Sequence, residues 1–348
     1  MDLVLLLATI VKAAVVAVVV ISAVPILTWF ERRGAGIIQL RLGPNRVGPF
    51  GLLQPLADGI KFLFKEDIVP PFVHKPTYVL APGVALFAAL MAFSVIPFGG
   101  TLTVAGHKIP LVIADVDAGV LLLLAASSLG VYGIIMAGWS SNNKYSQFGG
   151  LRSSSQMISY ELALGLAVVS VLVVSGSLRP VQIVQQQYEH IPNIFLLPVG
   201  FLVLFVSGFA ETNRAPFDLP EAESELVAGY HTEYSAMKFS MFFMAEYINM
   251  ITSAALLTTL FLGGYAVPMW IVKPLGLEGN LLALCQVATF VIKTGFFLLV
   301  FIWVRWTLPR FRFDQLLRLG WKILIPLAFL NVVWAGILVA LNPWGLLK

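Results

Sequence analysis

Apolar residues in this chain fall in runs of about 20, separated by stretches where Arg, Lys, Asp, Glu, Gly and Pro collect. A run of that length spans the hydrocarbon core of a bilayer as a helix. Eight spans are predicted, at about 3–30, 77–98, 115–138, 156–176, 193–210, 238–264, 281–304 and 323–344. The first is long enough to tilt or to project from the bilayer. It opens with Asp2 rather than a basic cluster and closes with Trp29-Phe30-Glu31-Arg32-Arg33, so it reads as a retained helix and not as a cleaved leader. A helical period of another kind runs through 52–66. Leu53, Leu56, Ala57, Ile60, Leu63 and Phe64 make one stripe, and Gln54, Asp58, Lys61 and Lys65 the other. This piece is too short to cross and is predicted to lie in the interface. It is either an anchor or one side of a doorway from lipid into a cavity. A shorter basic amphipathic piece covers 310–322. The chain therefore reads as an all-α polytopic protein: eight transmembrane helices plus an interfacial helix, in one membrane domain over 1–348.

Composition supports this reading of the runs. Of 348 residues 59% are apolar and only 11% charged, and the mean hydropathy is +0.89. The solvent of the folded surface is mostly lipid, so a net charge of +4 speaks to topology and gives no reason to expect nucleic acid. Sixteen basic residues fall in 31–76, 139–155, 211–238 and 305–322, against four in the opposite connections and tail, Lys108, Arg179, Lys273 and Lys348. The richer side is expected to be cytoplasmic, with both termini outside. The lone Cys285 excludes an internal disulfide and a cysteine-held iron–sulfur cluster within this chain alone. No glycine-rich loop ending in Lys-Ser or Lys-Thr offers a P-loop, and no internal repeat is evident.

Charge in the wrong place carries the chemistry. Glu211, Asp218, Glu221, Glu223, Glu225 and Glu233 crowd into 23 positions, opposed there only by Arg214. Glu161 lies more than one turn inside the fourth span, Glu246 two turns inside the sixth, Lys293 mid-way through the seventh and Lys12 inside the first. Asp115 and Asp117 open the third. A charge at mid-bilayer costs roughly 2.5–3.5 kcal/mol on insertion scales, so such groups usually face protein or water. Acids held there can exchange protons near neutrality. Blander roles stay open: Lys12 snorkelling, Lys293 pairing with a buried acid, Asp115 and Asp117 capping a helix, Asp218 capping another with Glu221 reaching back, and Glu223 and Glu225 forming a solvated face. The Gly- and Pro-rich segment from Glu31 through Arg41 and Arg46 is predicted to be an ordered, arginine-bearing loop.

Four strings carry a family resemblance: ERRGAGIIQLRLGPNRVGPFGLLQPLADGIKFLFKED at 31–67, SYELALG at 159–165, AETNRAPFDLPEAESELVAGYHTEYSAMKF at 210–239 and FFMAEYINM at 242–250. The chain resembles the H-subunit family of proton-pumping NADH:quinone oxidoreductase, complex I, which includes mitochondrial NADH dehydrogenase subunit 1. The resemblance implies a polypeptide that joins membrane and peripheral arms and is inactive alone. It would form the membrane side of a quinone cavity. Quinone would be the substrate. NADH, FMN and the iron–sulfur clusters would sit on partner subunits, one holding the terminal cluster, with small membrane subunits and antiporter-like subunits alongside. By motif, Glu31, Arg32, Arg41, Asp58, Arg214, Asp218, Glu221, Glu223 and Glu225 would border the cavity. Glu161, Glu211, Glu233 and Glu246 would continue as a proton path, with Asp115, Asp117 and Lys293 as further candidates. A bacterial plasma membrane, or an organelle's inner membrane, is the implied location. The membrane component of an energy-converting hydrogenase, a stand-alone ion transporter and a docking scaffold are the other readings.

Overall fold

The structure, a computed structural model, describes residues 3–104, 106–220, 223–268, 272 and 278–341, and the side chains of all of these except 3–6, 223 and 224. Among the described residues, seven helices are long and apolar enough to cross a bilayer. They are α1 (Leu3–Ile38), α3 (Lys75–Phe93), α4 (Gly119–Ser140), α5 (Lys144–Ser175), α10 (Ala236–Phe261), α11 (Gly279–Thr307) and the last helix over Phe313–Leu341. The last comprises α12 (Phe313–Leu319), a π turn over Gly320–Leu324 and α13 (Ile325–Leu341). An eighth apolar helix, α8 (Pro198–Glu211), is shorter. The amphipathic helix α2 covers Gln54–Phe64 and buries no residue. Small elements complete the chain: α6 (Pro180–Glu189), α7 (Asn193–Leu196), α9 (Glu223–Leu226), and an antiparallel hairpin of β1 (Thr101–Val104) and β2 (His107–Pro110) with Thr101 opposite Pro110.

Three boundaries depart from the hydrophobic pattern. The first helix runs on to Ile38, so Glu31, Arg32 and Arg33 lie on helix and not in the loop expected there. The chain then folds back tightly: a Cβ on Gly36 would lie 2.8 Å from the Arg41 carbonyl oxygen. The fourth span begins at Lys144, twelve residues before hydropathy places it, because a polar stretch is packed instead of solvated. Ser146, Gly149, Gly150, Ser153 and Gln156 are buried there, and the Asn143 side chain caps the helix by accepting from Tyr145 N. The basic piece at 310–322 is continuous with the last span through the π turn, with Gly320 seated against Tyr160. The hairpin and α6 lie in segments that carried no clear sequence signal.

Connections meet at two ends of the bundle. At the end rich in basic residues, His74 N donates to Ser140 O, Lys238 pairs with Asp67, Arg152 with Glu225 and Arg310 with Asp218. At the other end, Lys12 Nζ donates to the carbonyls of Pro110 and Val112, Val120 N to Leu178 O, and Asn193 Nδ2 to Leu260 O. Lys12 is thus tied to a loop of the protein. Of the spans, α10 is the most enclosed and α1 the least.

Lipid gives helices no hydrophobic reason to associate, so close approach by small residues must hold them. The α3–α4 contact shows this. Ala81, Ala85, Ala88, Ala89 and Ala92 are buried on α3, and on α4 a Cβ at Gly133 would lie 2.8 Å from Ala85 Cβ and 3.0 Å from Ala81 O. Gly149 of α5 meets the 229–230 backbone with equal tightness, a Cβ there lying 2.6 Å from Tyr230 N. Gly133→Leu is expected to cost about 1–3 kcal/mol through overpacking and to lower the amount of chain recovered in membranes. Gly165→Leu, whose Cβ meets nothing within 4 Å, should leave that amount unchanged by immunoblot.

Candidate functional site

The site grows from one buried cation. Arg214 follows the end of α8, and its side chain is fully enclosed. Its Nη1 donates to Glu31 Oε2 at 2.7 Å and its Nε to Glu246 Oε1 at 2.8 Å. Glu31 also accepts from Arg305 on α11 and from the Tyr247 hydroxyl at 2.8 Å. The guanidinium lies 4.0 Å from the Tyr247 ring centroid, within cation–π range. Two cations and two carboxylates balance here, drawn from α1, α10, α11 and the loop after α8. Burial works against the charge on Arg214, but Glu246 and Glu31 hold its pKa well above the usual value, so it stays protonated. Removing one partner of such a pair leaves a buried charge and costs about 3–5 kcal/mol.

The loop after α8 is fixed from two further sides. Gln156 Nε2 on α5 donates to the carbonyls of Ala210 and Phe217, and Phe311 N donates to Pro216 O. Asp218 accepts from Arg310 at 2.7 Å. Burial raises its carboxyl to about 6, a push that Glu246 reinforces and that Arg310 and Arg305 only partly oppose. His231, enclosed between Tyr230 and Phe239, is pushed down to about 4 by burial and is neutral at pH 7.

A second cluster continues into the bundle. Ser128 of α4 donates to Glu161 of α5. A cavity with room of about 20 Å³ for the centre of a water molecule is lined by Ser127, Ser128, Glu161, Ser207 and Glu211. A second of similar size is lined by Glu211, Asn213, Tyr230, Glu246 and Asn249. Each is large enough for one water. Glu211 borders both, so Glu246, Glu211 and Glu161 form a series.

The far end of the acidic loop is clamped to the chain beyond α2. Lys238 Nζ pairs with Asp67 at 2.5 Å, Ile68 N donates to Ser235 Oγ, and Tyr78 and Tyr234 stack at 4.2 Å. Tyr78 donates to Glu233 O, and Asn143 Nδ2 to Glu233 Oε1 at 2.6 Å. Asp58 of α2 pairs with Arg32 of α1 at 2.5 Å. Burial raises the Asp58 carboxyl, yet Arg32 outweighs it and holds the pKa below the usual carboxylate range.

Not every expected residue joins these groups. Asp115 and Asp117 pair with Arg179 at the opposite end. They do not cap α4, whose cap position is Ala118 with no side-chain bond. Ser128, the partner of Glu161, lies roughly 14 Å further along α4 from its start. Lys293 pairs with no acid among the described residues. Its Nζ donates to the carbonyls of Leu262, Gly264 and Ala266, closing the C-terminal end of α10. Glu225 is exposed and paired with Arg152, and Arg41 bonds Gln39 in an exposed cleft. Asp218 binds Arg310, and the helix start at which it was open to act as a cap with Glu221 falls outside the described residues. Glu221 and the Glu223 side chain fall outside the described residues. Sequence reasoning missed Arg305, Arg310, Tyr247, Gln156 and the Asp67–Lys238 pair. A signal existed for Arg305, an arginine in the last turn of a span. Gln156, mid-helix in a polar stretch, gave none. Among the described residues no group of three or more His, Cys, Asp or Glu side chains is placed to hold a metal.

The fold and cluster define a polytopic α-helical membrane protein with a charge-balanced acidic site at its basic end. A family model described as NADH dehydrogenase matches residues 11–336, and the chain belongs to that family. Its relatives include H subunits of NADH-quinone oxidoreductase from several bacteria. The chain is 50% identical to the second such protein of Koribacter versatilis over 97% of this chain and 98% of the relative. It is 52% identical to the one from Leptospira biflexa over 100% and 99%. To the first of Geobacter sulfurreducens it is 51% identical over 95% and 94%. The resemblance found in the four strings therefore holds along nearly the whole chain.

Arg310→Gln is expected to move Asp218 further up, because Arg310 is the main group opposing burial there. Carboxyl infrared difference spectra should place the wild-type midpoint near pH 6 and the variant's above it. A raised carboxyl favours the packed loop while protonated, so local opening should become easier as pH rises from about 4 through 6.

Proposed function

We propose that the chain is the membrane component of an NADH:quinone oxidoreductase that closes the membrane side of a quinone cavity and begins a proton path. The carrying observation is the series of acids joined by two water-sized cavities and ending at the buried Arg214 cluster. The relatives' names favour the quinone enzyme over a hydrogenase or a lone transporter.

On this reading quinone reaches the cavity beside α1 and α2, whose relative position the Arg32–Asp58 pair sets. Two electrons arrive from an iron–sulfur cluster on a partner, and two protons are taken up as quinone becomes quinol. Negative charge appearing beside Asp218 raises its proton affinity. Asp218, already near 6, is poised to accept and return a proton. A shift of one pKa unit is worth about 1.36 kcal/mol, so shifts of several units can drive transfer. From Glu246 a proton would pass through the cavity beside Glu211 to Glu161, each step bridged by a single water. The clamp at Asp67, Ser235 and Lys238 would link the doorway segment to the acidic loop. The basic end would face the cytoplasm of a bacterium, with both termini outside, and would dock the peripheral subunits. Glu233 has a fixed structural partner in Asn143 and stands at the loop's margin in this scheme.

Glu161→Gln should assemble and still reduce quinone, with proton translocation per quinone lowered at least several-fold. Paired measurement of NADH oxidation and acidification in vesicles checks this. Full pumping in an assembled Glu161→Gln enzyme would contradict the path. Failure of assembly in every carboxyl-neutralised variant, with full pumping wherever assembly succeeds, would favour the scaffold reading.

A further inference from the structure

One neutral side chain outside the acidic series holds the loop that carries it. Gln156 of α5 is fully buried. Its Nε2 donates to Ala210 O at 2.9 Å and to Phe217 O at 2.8 Å, and lies 3.3 Å from Asn213 Oδ1. Each of these three residues immediately precedes a charged residue of the site: Glu211, Asp218 and Arg214. Ala210 O is also one of the last carbonyls of α8, which find no donor within the helix. A single amide thus ties the end of α8 and the far limb of the following turn to one point on α5.

That point lies at the seam of the two cavities. Met157, the next residue, lines both, and Asn213 lines the second with Glu211 and Glu246. Glu161 follows Gln156 on α5 by five residues, a rise of about 7.5 Å. The placement of the loop acids relative to Glu161 is therefore set through Gln156. Its Oε1 is buried and meets no donor among the described residues. Turning the amide over would set that oxygen against three others, so its orientation is fixed. An acceptor buried without a donor is destabilising, and an apolar side chain of the same length would avoid it. Packing alone does not account for a glutamine here. Being neutral, it holds three positions without adding a charge that would change the proton affinity of the acids beside it.

We propose that Gln156 is a positioning residue for proton transfer: it holds Glu211 at the spacing from Glu161 that a single water bridges, and ties that spacing to the loop bearing Arg214 and Asp218. The inference rests on the proton-path reading and names the group that sets its geometry. Removing the amide donors frees the end of α8 and the turn from α5. Quinone is then reduced in turnovers whose protons are not passed on.

The test uses the intact complex in sealed membrane vesicles, and reads protons moved per quinone reduced. Lost stability lowers the amount of enzyme but not this ratio. Gln156→Met keeps the length of the side chain and removes both donors, and its ratio should fall by about threefold or more at every pH, since transfer is sensitive to small misplacements. Gln156→Glu restores one donor only while its carboxyl is protonated. Compared with wild type at the same pH, its ratio should be close to normal at about pH 6 and lowered by about threefold at about pH 8. Glu161→Gln in the same vesicles separates the two claims. An undiminished ratio there overturns the path, and this inference with it. A lowered ratio there beside a wild-type ratio in Gln156→Met overturns the positioning role alone. A Gln156→Glu ratio that stays constant relative to wild type across this pH range would also overturn it. So would failure of both Gln156 variants to assemble, which would make the residue a requirement of folding only.

Discussion

A guanidinium enclosed in a membrane protein has to be surrounded by compensating charge, and that constraint organises this fold. Arg214 stands where four separate parts of the chain converge: the loop after α8, the end of α1, the third turn of α10 and the last turn of α11. Each buried charge among them would be costly if left without its partner. Together they are neutral, and each element is held in register by the charge it brings. Glu31 meets Arg214 and Arg305 from within α1, two turns before its end at Ile38.

The rest of the bundle depends on close backbone approach more than on hydrophobic drive. Alanine and glycine let α3 lie against α4, and Gly149 lets α5 lie against the 229–230 backbone. Polar side chains then work as bolts: Gln156 on the carbonyls of the loop, Asn193 on α10, Lys293 on three carbonyls at the end of α10. The enclosed acids Glu161, Glu211 and Glu246 occupy the seams this packing leaves, which is why their shared cavities are water-sized.

Hydrophobic runs made the all-α membrane class and most spans legible, because a 20-residue apolar helix has few alternatives in lipid. They misplaced the start of α5 because Ser146, Ser153 and Gln156 are polar yet buried, a fact set by tertiary neighbours. They split the last helix within a basic stretch that is helical from Phe313 onward. That Glu161, Glu246 and Arg214 need polar partners was readable from charge in the wrong place. The pairing was not. A carboxylate gives no local sign of which arginine it will meet, and Arg305 lies 274 residues from Glu31. Asp115, Asp117 and Lys293 show the converse: charge near or within a span can serve a loop or close a helix end. Glu211 stood in the acidic crowd of the sequence, but its position between two cavities is visible only in the structure.

The most direct measurement is hydrogen–deuterium exchange across 211–235 and the last two turns of α1 in the intact complex, wild type against Arg214→Met. If one enclosed cation holds these segments together, its loss costs roughly 3 kcal/mol or more, and exchange in both should rise about 100-fold while α3 and α4 stay protected. Unchanged protection of the loop and of α1 in the variant would contradict the account.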